Sequence, residues 1–210
     1  MQLYSLWQNS AGERVRIALN LKGLDYEYVP VASLRPGEYQ AINPQGLMPA
    51  LRVGQHVIAQ SGAILEYLEE THPRPPLLPA DPIQRAQARA FAQLIASDLH
   101  PINNNRVRRY LGARLGVDEA GVQAWCEHWV STAFTALEAA LAARSTDWPF
   151  CFGDAPGWAD LHLAPQMANA RRFGCDLSPY PLLRAVDARC CLLHDFRRAR
   201  PEAQPDYPQN

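Results

Sequence analysis

The sequence predicts an α/β N-terminal domain followed by an all-helical C-terminal domain. Residues 1–78 alternate short strand-like and helix-like hydrophobic patterns, whereas the apolar spacing is helical from about residue 83 to residue 196. Between these regions, residues 72–82 contain five prolines. Because proline has no amide hydrogen and cannot continue a helix, this stretch is interpreted as a linker. The predicted domains are residues 1–78 and residues 83–210.

The first domain is predicted to form a small mixed sheet covered by helices. A β-α-β unit comes first, and a strand hairpin around Gly54-Gln55 and a second helix follow it. The predicted elements are strand 3–6, helix 14–21, strand 26–31, strands 50–53 and 56–59, and helix 61–70. In the second domain, the predicted helices are 83–110, 118–143, 157–170 and 181–196.

Composition narrows the class of protein. The net charge of −1 and the pI near 6.6 give no overall basic field, so neither a nucleic acid nor an anionic membrane is expected as a partner. The first residues lead directly into a strand pattern, without a signal peptide or an apolar run that could span a bilayer, and we expect a cytoplasmic location. The five cysteines include no Cys-x-x-Cys pair, which argues against a disulfide framework or a metal site.

Three features of the first domain suggest a ligand site, and each also has a simpler structural interpretation. Met48-Pro49 precedes the hairpin, where a cis-proline would present backbone groups to an extended peptide ligand, but an ordinary trans bond fits equally well. Gln60-Ser61 opens a helix whose free amide groups could bind a carboxylate, although serine there is commonly only an N-cap. Ser10, before the first helix, could donate a hydrogen bond to a thiolate or could be another N-cap.

Taken together, tracts along nearly the whole chain resemble zeta-class glutathione transferases. This resemblance implies the glutathione transferase fold, with a thioredoxin-like domain that binds glutathione and an all-α domain, and it implies a homodimer. The tracts His100–Asn104 and Tyr180–Asp187 look most like those of the maleylpyruvate isomerase type. The matching tracts are Trp7, Arg14–Gly23, Asn43–Gln45, Pro49–Leu51, Gln60-Ser61, Ile64–Glu70, His100–Asn104, Ala159-Asp160, Pro165-Gln166, Ala170–Phe173 and Asp176–Pro181.

The implied activity is a glutathione-dependent cis-trans isomerisation of a maleyl keto acid, maleylpyruvate or maleylacetoacetate, in aromatic catabolism. Addition of a thiolate to the activated alkene leaves a carbon–carbon single bond that rotates, and elimination restores the alkene as trans. The protein must therefore lower the pKa of the thiol, hold a dianionic substrate and stabilise an enolate. Two other functions stay open: a general glutathione transferase that conjugates or dehalogenates small α-halo acids, and a non-catalytic binding or regulatory member.

The resemblance also implies roles for individual residues. Ser10 and Asn9 are the catalytic candidates, and Gln8, Arg106 and Arg172 are the candidates for substrate binding. His100 and Asn104 lie four residues apart on a predicted helix, so we expect them to share a face. Glutathione binding is implied for Gln45, Met48, Pro49, Gln60, Ser61, His100, Asn104 and Asn105.

The sequence departs from the family pattern in the turn before the first helix. The family has Arg-Ser-Ser-Cys there, whereas this chain has Gln8-Asn9-Ser10-Ala11. Gln8 replaces an arginine that binds a substrate carboxylate, which favours the two alternative functions. The retained Arg106, Arg172 and His100 favour the isomerase. Asp160 is interpreted as a structural partner in the cap of its helix.

Overall fold

The computed structural model describes residues 1–208 and divides into two compact units. The first unit contains Met1–Leu77 together with the segment that begins at Cys191, and the second contains Leu78–Cys190. The domain expected to span residues 83–210 therefore ends earlier than the sequence suggested. Its last segment packs with the first unit.

The first unit contains a four-stranded mixed sheet with the strand order β2-β1-β3-β4. β1 pairs with β2 in parallel and with β3 antiparallel, and β3 and β4 form the predicted hairpin. A parallel neighbour requires a crossover connection, which the first helix supplies. Leu3 lies opposite Leu51 in the register, and both side chains are fully buried. The strands are β1 (Gln2–Ser5), β2 (Glu27–Pro30), β3 (Ala50–Val53) and β4 (His56–Ala59).

The helices of the first unit include one that the sequence pattern missed. α2 has only five residues, too few to show a helical period. α1 also begins four residues earlier than predicted, because Asn9 caps it. The helices are α1 (Ser10–Leu21), α2 (Glu38–Ile42), α3 (Ser61–Thr71) and α10 (His194–Ala199), with 3₁₀ turns at Val31–Ser33 and Pro201–Ala203.

Buried polar side chains of α1 explain why the closing segment belongs to the first unit. Arg16 is fully buried and donates from Nε to the carbonyl oxygen of Ala199 at 2.8 Å. Asn20 donates from Nδ2 to the carbonyl oxygen of Asp195 at 2.9 Å. Buried donors need acceptors, and α10 supplies both of them from the far end of the chain. A local hydrophobic pattern contains no signal for this pairing.

The only lysine of the chain, Lys22, is buried just after α1. Its Nζ donates to Glu69 Oε2 at 2.7 Å and to the carbonyl oxygens of His72 and Pro75 at 2.6 and 3.0 Å. An ammonium group has three donors, and here each one has an acceptor. Lys22 thus joins the end of α1 to the end of α3 and the start of the linker.

The second unit is helical, and its longest helix, α7, carries a buried apolar stripe. Cys126, Val130, Phe134, Leu137 and Leu141 recur every three or four residues along α7 and are almost fully buried. Within the described residues, every helix is too short or too polar to cross a bilayer. The helical segments are α4 (Pro82–Gln93), a π-helical segment (Leu94–Leu99), α5 (His100–Ile102), α6 (Asn105–Leu115), α7 (Glu119–Ala142), α8 (Trp158–Arg172) and α9 (Pro181–Leu192).

Two predicted long helices are interrupted. The helix expected over residues 83–110 breaks at Asn104, whose backbone is extended with φ −65° and ψ 151°. The helix expected over residues 181–196 breaks at Leu193, which is also extended. In both places the apolar period continues across the extended residue, so periodicity alone did not show the break.

Candidate functional site

The first part of the candidate site is the turn that begins α1. Asn9 is the N-cap of this helix, and its side-chain oxygen accepts a hydrogen bond from the backbone N–H of Gly12. Ser10, the alternative N-cap, is instead the first helical residue. The positive end of the α1 dipole therefore lies at the two residues predicted to act on a thiol.

Gly12 is required by the close approach of its neighbours to its backbone. A Cβ atom there would clash with the Ser5 hydroxyl and would lie 2.7 Å from Asn9 Oδ1, nearer than real Cβ contacts. The absence of a side chain therefore allows Asn9 to cap the helix. Gly12 was not among the predicted site residues.

The residue before Gln8 is held by the far end of the chain. The backbone N–H of Trp7 donates to Asp206 Oδ2 at 3.1 Å, and the Tyr28 hydroxyl donates to Asp206 Oδ1 at 2.9 Å. The Trp7 ring also packs edge-on against Tyr207, with centroids 5.1 Å apart. Burial and the bond to Asp206 raise the pKa of Tyr28, so its hydroxyl stays a donor at neutral pH. Gln8 itself is exposed.

The second part of the site is the N-terminus of α3. Gln60 precedes this helix with φ +71°, the one non-glycine residue with positive φ among the residues described, and it makes no side-chain cap bond. Such a conformation costs about 1–3 kcal/mol and is commonly found at functional sites. Gln60 Nε2 instead donates to Gln45 Oε1 at 2.7 Å. The structure thus brings Gln45, Gln60 and the buried Ser61 together beside helix amides that no N-cap side chain satisfies.

The loop that carries Gln45 and Met48 is held by hydrogen bonds from Asn43 and Tyr39. Asn43 Nδ2 and the Tyr39 hydroxyl each donate to the carbonyl oxygen of Leu47 at 2.7 Å, and Asn43 Oδ1 accepts from the Gln45 N–H at 3.3 Å. Met48 packs against the cluster around Tyr4, Tyr39 and Ala50, and its peptide bond to Pro49 is cis. The loop therefore has a fixed position at the start of β3.

Arg14 places a buried positive charge beside Ser61. Its Nη1 donates to Ser61 Oγ at 3.4 Å, while its Nε and Nη2 are buried without hydrogen-bond partners. Burial lowers the pKa of Arg14 to about 10, against the opposing effect of Glu13, so the guanidinium stays charged at neutral pH. This charge and the α3 dipole both favour an anion at Ser61. The sequence analysis noted Arg14 only within a tract that resembles the family, and it predicted no role for this residue.

In the second unit, Asn104 and Asn105 form the start of α6. Asn104 is the N-cap, and its Oδ1 accepts from the backbone N–H of Arg106 at 3.1 Å. Because the chain is extended at Asn104, His100 and Asn104 do not share a helical face, and that prediction was wrong. The Arg106 side chain is exposed.

Arg172 ends α8 and packs on the ring of Phe173. Its guanidinium carbon lies 5.2 Å from the ring centroid, and its Nη2 donates to Asn169 Oδ1 at 2.9 Å. Arg171, its neighbour, instead forms an ion pair with the buried Asp187. Arg172 is therefore not engaged by a carboxylate among the described residues.

Asp160 has the structural role that the sequence indicated. Its carboxylate accepts from the backbone N–H groups of Cys151 and Gly157, both at 2.9 Å, and forms the capping box of α8. Burial raises the pKa of Asp160, whereas these backbone bonds oppose that shift. Across residues 1–208, no three His, Cys, Asp or Glu side chains are grouped so as to hold a metal ion.

Similarity to known proteins identifies the family of the chain. The family model "Glutathione S-transferase, N-terminal domain" matches residues 9–76. Maleylpyruvate isomerase of Ralstonia sp is 50% identical, with 98% of this chain and 99% of that protein covered. A solved holo structure of a zeta-class maleylpyruvate isomerase is 50% identical with a TM-score of 0.95, covering 99% of this chain and 100% of that chain. The chain therefore belongs to the glutathione S-transferase family.

Within that family the chain is a member of the zeta class, whose isomerases align with 98–99% of its residues. Maleylacetoacetate isomerase of Anaeromyxobacter dehalogenans 2CP-1 is 42% identical, with a TM-score of 0.87 and with 99% of this chain and 97% of that chain covered. That structure holds dicarboxyethyl glutathione and citrate in its active site. The predicted glutathione transferase fold is thereby confirmed.

Proposed function

We propose that this protein is a glutathione-dependent cis-trans isomerase of a maleyl keto acid, with maleylpyruvate as the first substrate to test. The observation that carries the proposal is the N-terminus of α3, where Gln60 leaves the helix amides without a side-chain cap and Arg14 is buried beside Ser61. Full-length relatives named as isomerases of two maleyl keto acids support the same activity.

The residues of the first unit fit glutathione. An α-carboxylate of the γ-glutamyl group suits the α3 N-terminus, where Ser61, the helix dipole and Arg14 favour an anion. The side-chain pair of Gln45 and Gln60 offers both donors and acceptors for the amino acid end of the peptide. Met48 and Pro49, at the start of β3, are proposed to contact its extended backbone. Family resemblance assigns further contacts to His100, Asn104 and Asn105 of the second unit.

When bound, glutathione supplies the thiolate that adds reversibly to the substrate alkene and allows it to rotate. Asn9 and Ser10, with the N-terminal dipole of α1, are proposed to keep this thiol ionised, because hydrogen bonds and a positive dipole stabilise the charged form. Arg106 and Arg172 are the family positions proposed to bind the substrate carboxylates. Gln8 would contribute a neutral hydrogen bond in place of a charge-assisted one.

The central test is the disappearance of maleylpyruvate with and without glutathione. Turnover that requires glutathione and yields the trans product is expected. If chloroacetate-type α-halo acids were consumed and maleylpyruvate were not, the isomerase assignment would be wrong and the general transferase would replace it.

Ser61→Ala tests the position of the cofactor. Loss of a hydrogen bond to a charged group should weaken glutathione binding by about 1.5–3 kcal/mol in calorimetric titration. Ser33→Ala is the matched control, since the Ser33 hydroxyl is exposed and donates to the carbonyl oxygen of Pro30. Equal affinities of Ser61→Ala and the parent would contradict the assignment.

We also propose a cytoplasmic homodimer, on family membership. Trp125 and Trp129 are only half-buried and pack edge-on at 5.8 Å, leaving apolar surface on α7. Light scattering behind size-exclusion chromatography should give twice the chain mass at micromolar concentration. A monomer under those conditions would rule out the dimer.

A further inference from the structure

A polar cleft lies on the first unit, between the chain that leads into β2 and the closing segment of the protein. Its volume is about 280 Å³. Pockets for drug-sized ligands typically measure about 300–1,000 Å³, so this cleft suits a molecule of roughly amino-acid size. The cleft is lined by Leu24, Asp25, Tyr26, Tyr28, Arg198, Ala203 and Gln204.

The wall of the cleft on the β2 side is held by two hydrogen bonds. The Tyr28 hydroxyl donates to Asp206 Oδ1 at 2.9 Å. The backbone N–H of Leu24 donates to the carbonyl oxygen of Leu19, near the end of α1, also at 2.9 Å. This side of the cleft is therefore arranged by the fold and does not need a ligand to form it.

The opposite wall presents a side-chain oxygen of fixed orientation. Gln204 Nε2 donates to the carbonyl oxygens of Arg198 and Arg200, both at 2.9 Å. Because carbonyl oxygens only accept hydrogen bonds, the NH₂ group of Gln204 must face them. Within residues 1–208, no donor bonds to Gln204 Oε1. Gln204 therefore offers the cleft a hydrogen-bond acceptor.

Two opposite charges line the same cleft without pairing. Among the residues that the structure describes, neither the Asp25 carboxylate nor the Arg198 guanidinium forms an ion pair or a hydrogen bond, so their charged atoms lie more than 4.0 Å apart. Burial raises the pKa of Tyr26, whereas the positive charges of Arg16 and Arg198 oppose that shift. The Arg198 charge is thus close to Tyr26, inside the cleft.

These groups together match the two charged ends of a zwitterion. A carboxylate pairs with the guanidinium of Arg198, and an ammonium group, which has three donors, pairs with Asp25 and Gln204 Oε1. A ligand with a single charge meets only one of the two opposite charges favourably. The half-buried rings of Tyr26 and Tyr28 add apolar surface for a hydrocarbon side chain.

We propose that this cleft is an accessory binding site for an α-amino acid with an apolar side chain, in which Arg198 binds the α-carboxylate and Asp25 binds the α-ammonium. None of its lining residues is among those proposed to bind glutathione or the maleyl substrate. A bound amino acid contacts Tyr28, whose bond to Asp206 leads to the Trp7 N–H. The ligand therefore lies against a support of the turn before α1.

The test is a titration of the isotopically labelled, full-length protein with L-leucine, followed by amide NMR spectra with and without saturating glutathione. Saturable shifts are expected for the amides of Asp25 and Ala203, with a dissociation constant of about 1 mM or lower. L-Leucinamide lacks the carboxylate and N-acetyl-L-leucine lacks the ammonium group. Each of these analogues should bind roughly fivefold to tenfold more weakly than L-leucine.

Variants of the two charged residues test their assigned roles. Arg198→Met and Asp25→Asn should each weaken L-leucine binding by roughly fivefold to tenfold. Both side chains are exposed, so the variants are expected to fold like the parent. The matched controls are Arg197→Met and Glu202→Gln, which remove the same charges from neighbouring exposed residues outside the cleft. These controls should stay within about twofold of the parent.

The site would be wrong if L-leucine left the amide signals of Asp25 and Ala203 unshifted, if Arg198→Met kept the affinity of the parent, or if both analogues bound as well as L-leucine. Shifts confined to Gln60 and Ser61 and abolished by glutathione would place L-leucine in the proposed glutathione site, and would likewise overturn the accessory site. None of these results depends on turnover of maleylpyruvate, so this inference and the proposed function can fail independently.

Discussion

Replacement of Lys22 by methionine should destabilise the first unit strongly. Methionine keeps most of the apolar stem of lysine and removes the ammonium group, so the change isolates the polar contacts. Those contacts are the carboxylate of Glu69 and the carbonyl oxygens of His72 and Pro75. The Lys22 side chain is 0% exposed and that of Glu69 is 15% exposed, so water replaces little of what is lost.

The size of the effect follows from what remains after the change. Breaking a buried ion pair by removing one partner typically costs about 3–5 kcal/mol. Glu69 keeps two hydrogen bonds from the Leu77 N–H, at 3.0 and 3.2 Å, which reduces its share of the cost. The two carbonyl oxygens lose a donor, at about 1–3 kcal/mol for each one that stays buried. We therefore expect Lys22→Met to lower the free energy of unfolding by at least about 3 kcal/mol.

Urea unfolding followed by circular dichroism measures this loss, provided that the slope of free energy against urea is unchanged. The matched control is Arg35→Met, because Arg35 pairs with Glu38 while its own side chain is 87% exposed. That change should cost no more than about 1 kcal/mol. A loss below about 1 kcal/mol for Lys22→Met would refute the reasoning, since the buried and exposed pairs would then be equivalent.

Three further predictions concern the site and its supports. Gln8→Arg restores the positive charge of the family pattern and should lower the KM for a maleyl dianion, by about tenfold for each ~1.4 kcal/mol gained. If Gln8→Arg and the parent have the same KM at both of two ionic strengths, Gln8 does not face the substrate. Gly12→Ala should displace Asn9 from its cap and lower the free energy of unfolding by about 1 kcal/mol or more. It should also raise the pKa of the thiol of bound glutathione, which thiolate absorbance measures. An unchanged titration curve of that thiol would show that Asn9 does not activate it. The folded pKa of Asp160 lies above its ordinary 3.8, so the stability that this group contributes falls as pH rises above that value. The unfolding free energy of the parent relative to Asp160→Asn should therefore decrease in urea titrations as pH rises from 3.8 through the raised pKa of Asp160, and a constant difference would contradict the raised pKa.

Local pattern in the sequence was enough for the sheet and for most helices. Alternation, helical spacing and the glycine turn placed β1, β3, β4 and α3 close to their final bounds and α1 correctly at its C-terminal end. Family tracts then led to the fold and to Gln45, Gln60 and Ser61, which the structure brings together in the first unit. These features depend on residues near one another in sequence or on family tracts that are specific in combination.

What the sequence did not show depends on distant partners. Asp206 lies beyond the last predicted helix, yet its carboxylate accepts a hydrogen bond from the backbone N–H of Trp7, 199 positions away. Arg108 was not among the predicted site residues, yet its guanidinium packs on the Phe173 ring that also carries Arg172. Asn104 broke a helix that its neighbours could have continued, because its side chain caps the next one. In each case the local sequence is compatible with two conformations or environments, and a contact with a distant part of the chain determines which one forms.

The discontinuity of the first unit has a consequence for synthesis. Met1–Leu77 emerges from the ribosome first, but α10 and Asp206 follow only after the whole second unit has been made. At about 5–20 residues per second, that interval is on the order of 10 seconds. Until it ends, the buried guanidinium of Arg16 lacks the Ala199 carbonyl, and the Trp7 N–H lacks the Asp206 carboxylate. A nascent chain therefore carries an unfinished face of α1, and the turn before α1 gains its support from Asp206 only after residue 206 has been synthesised.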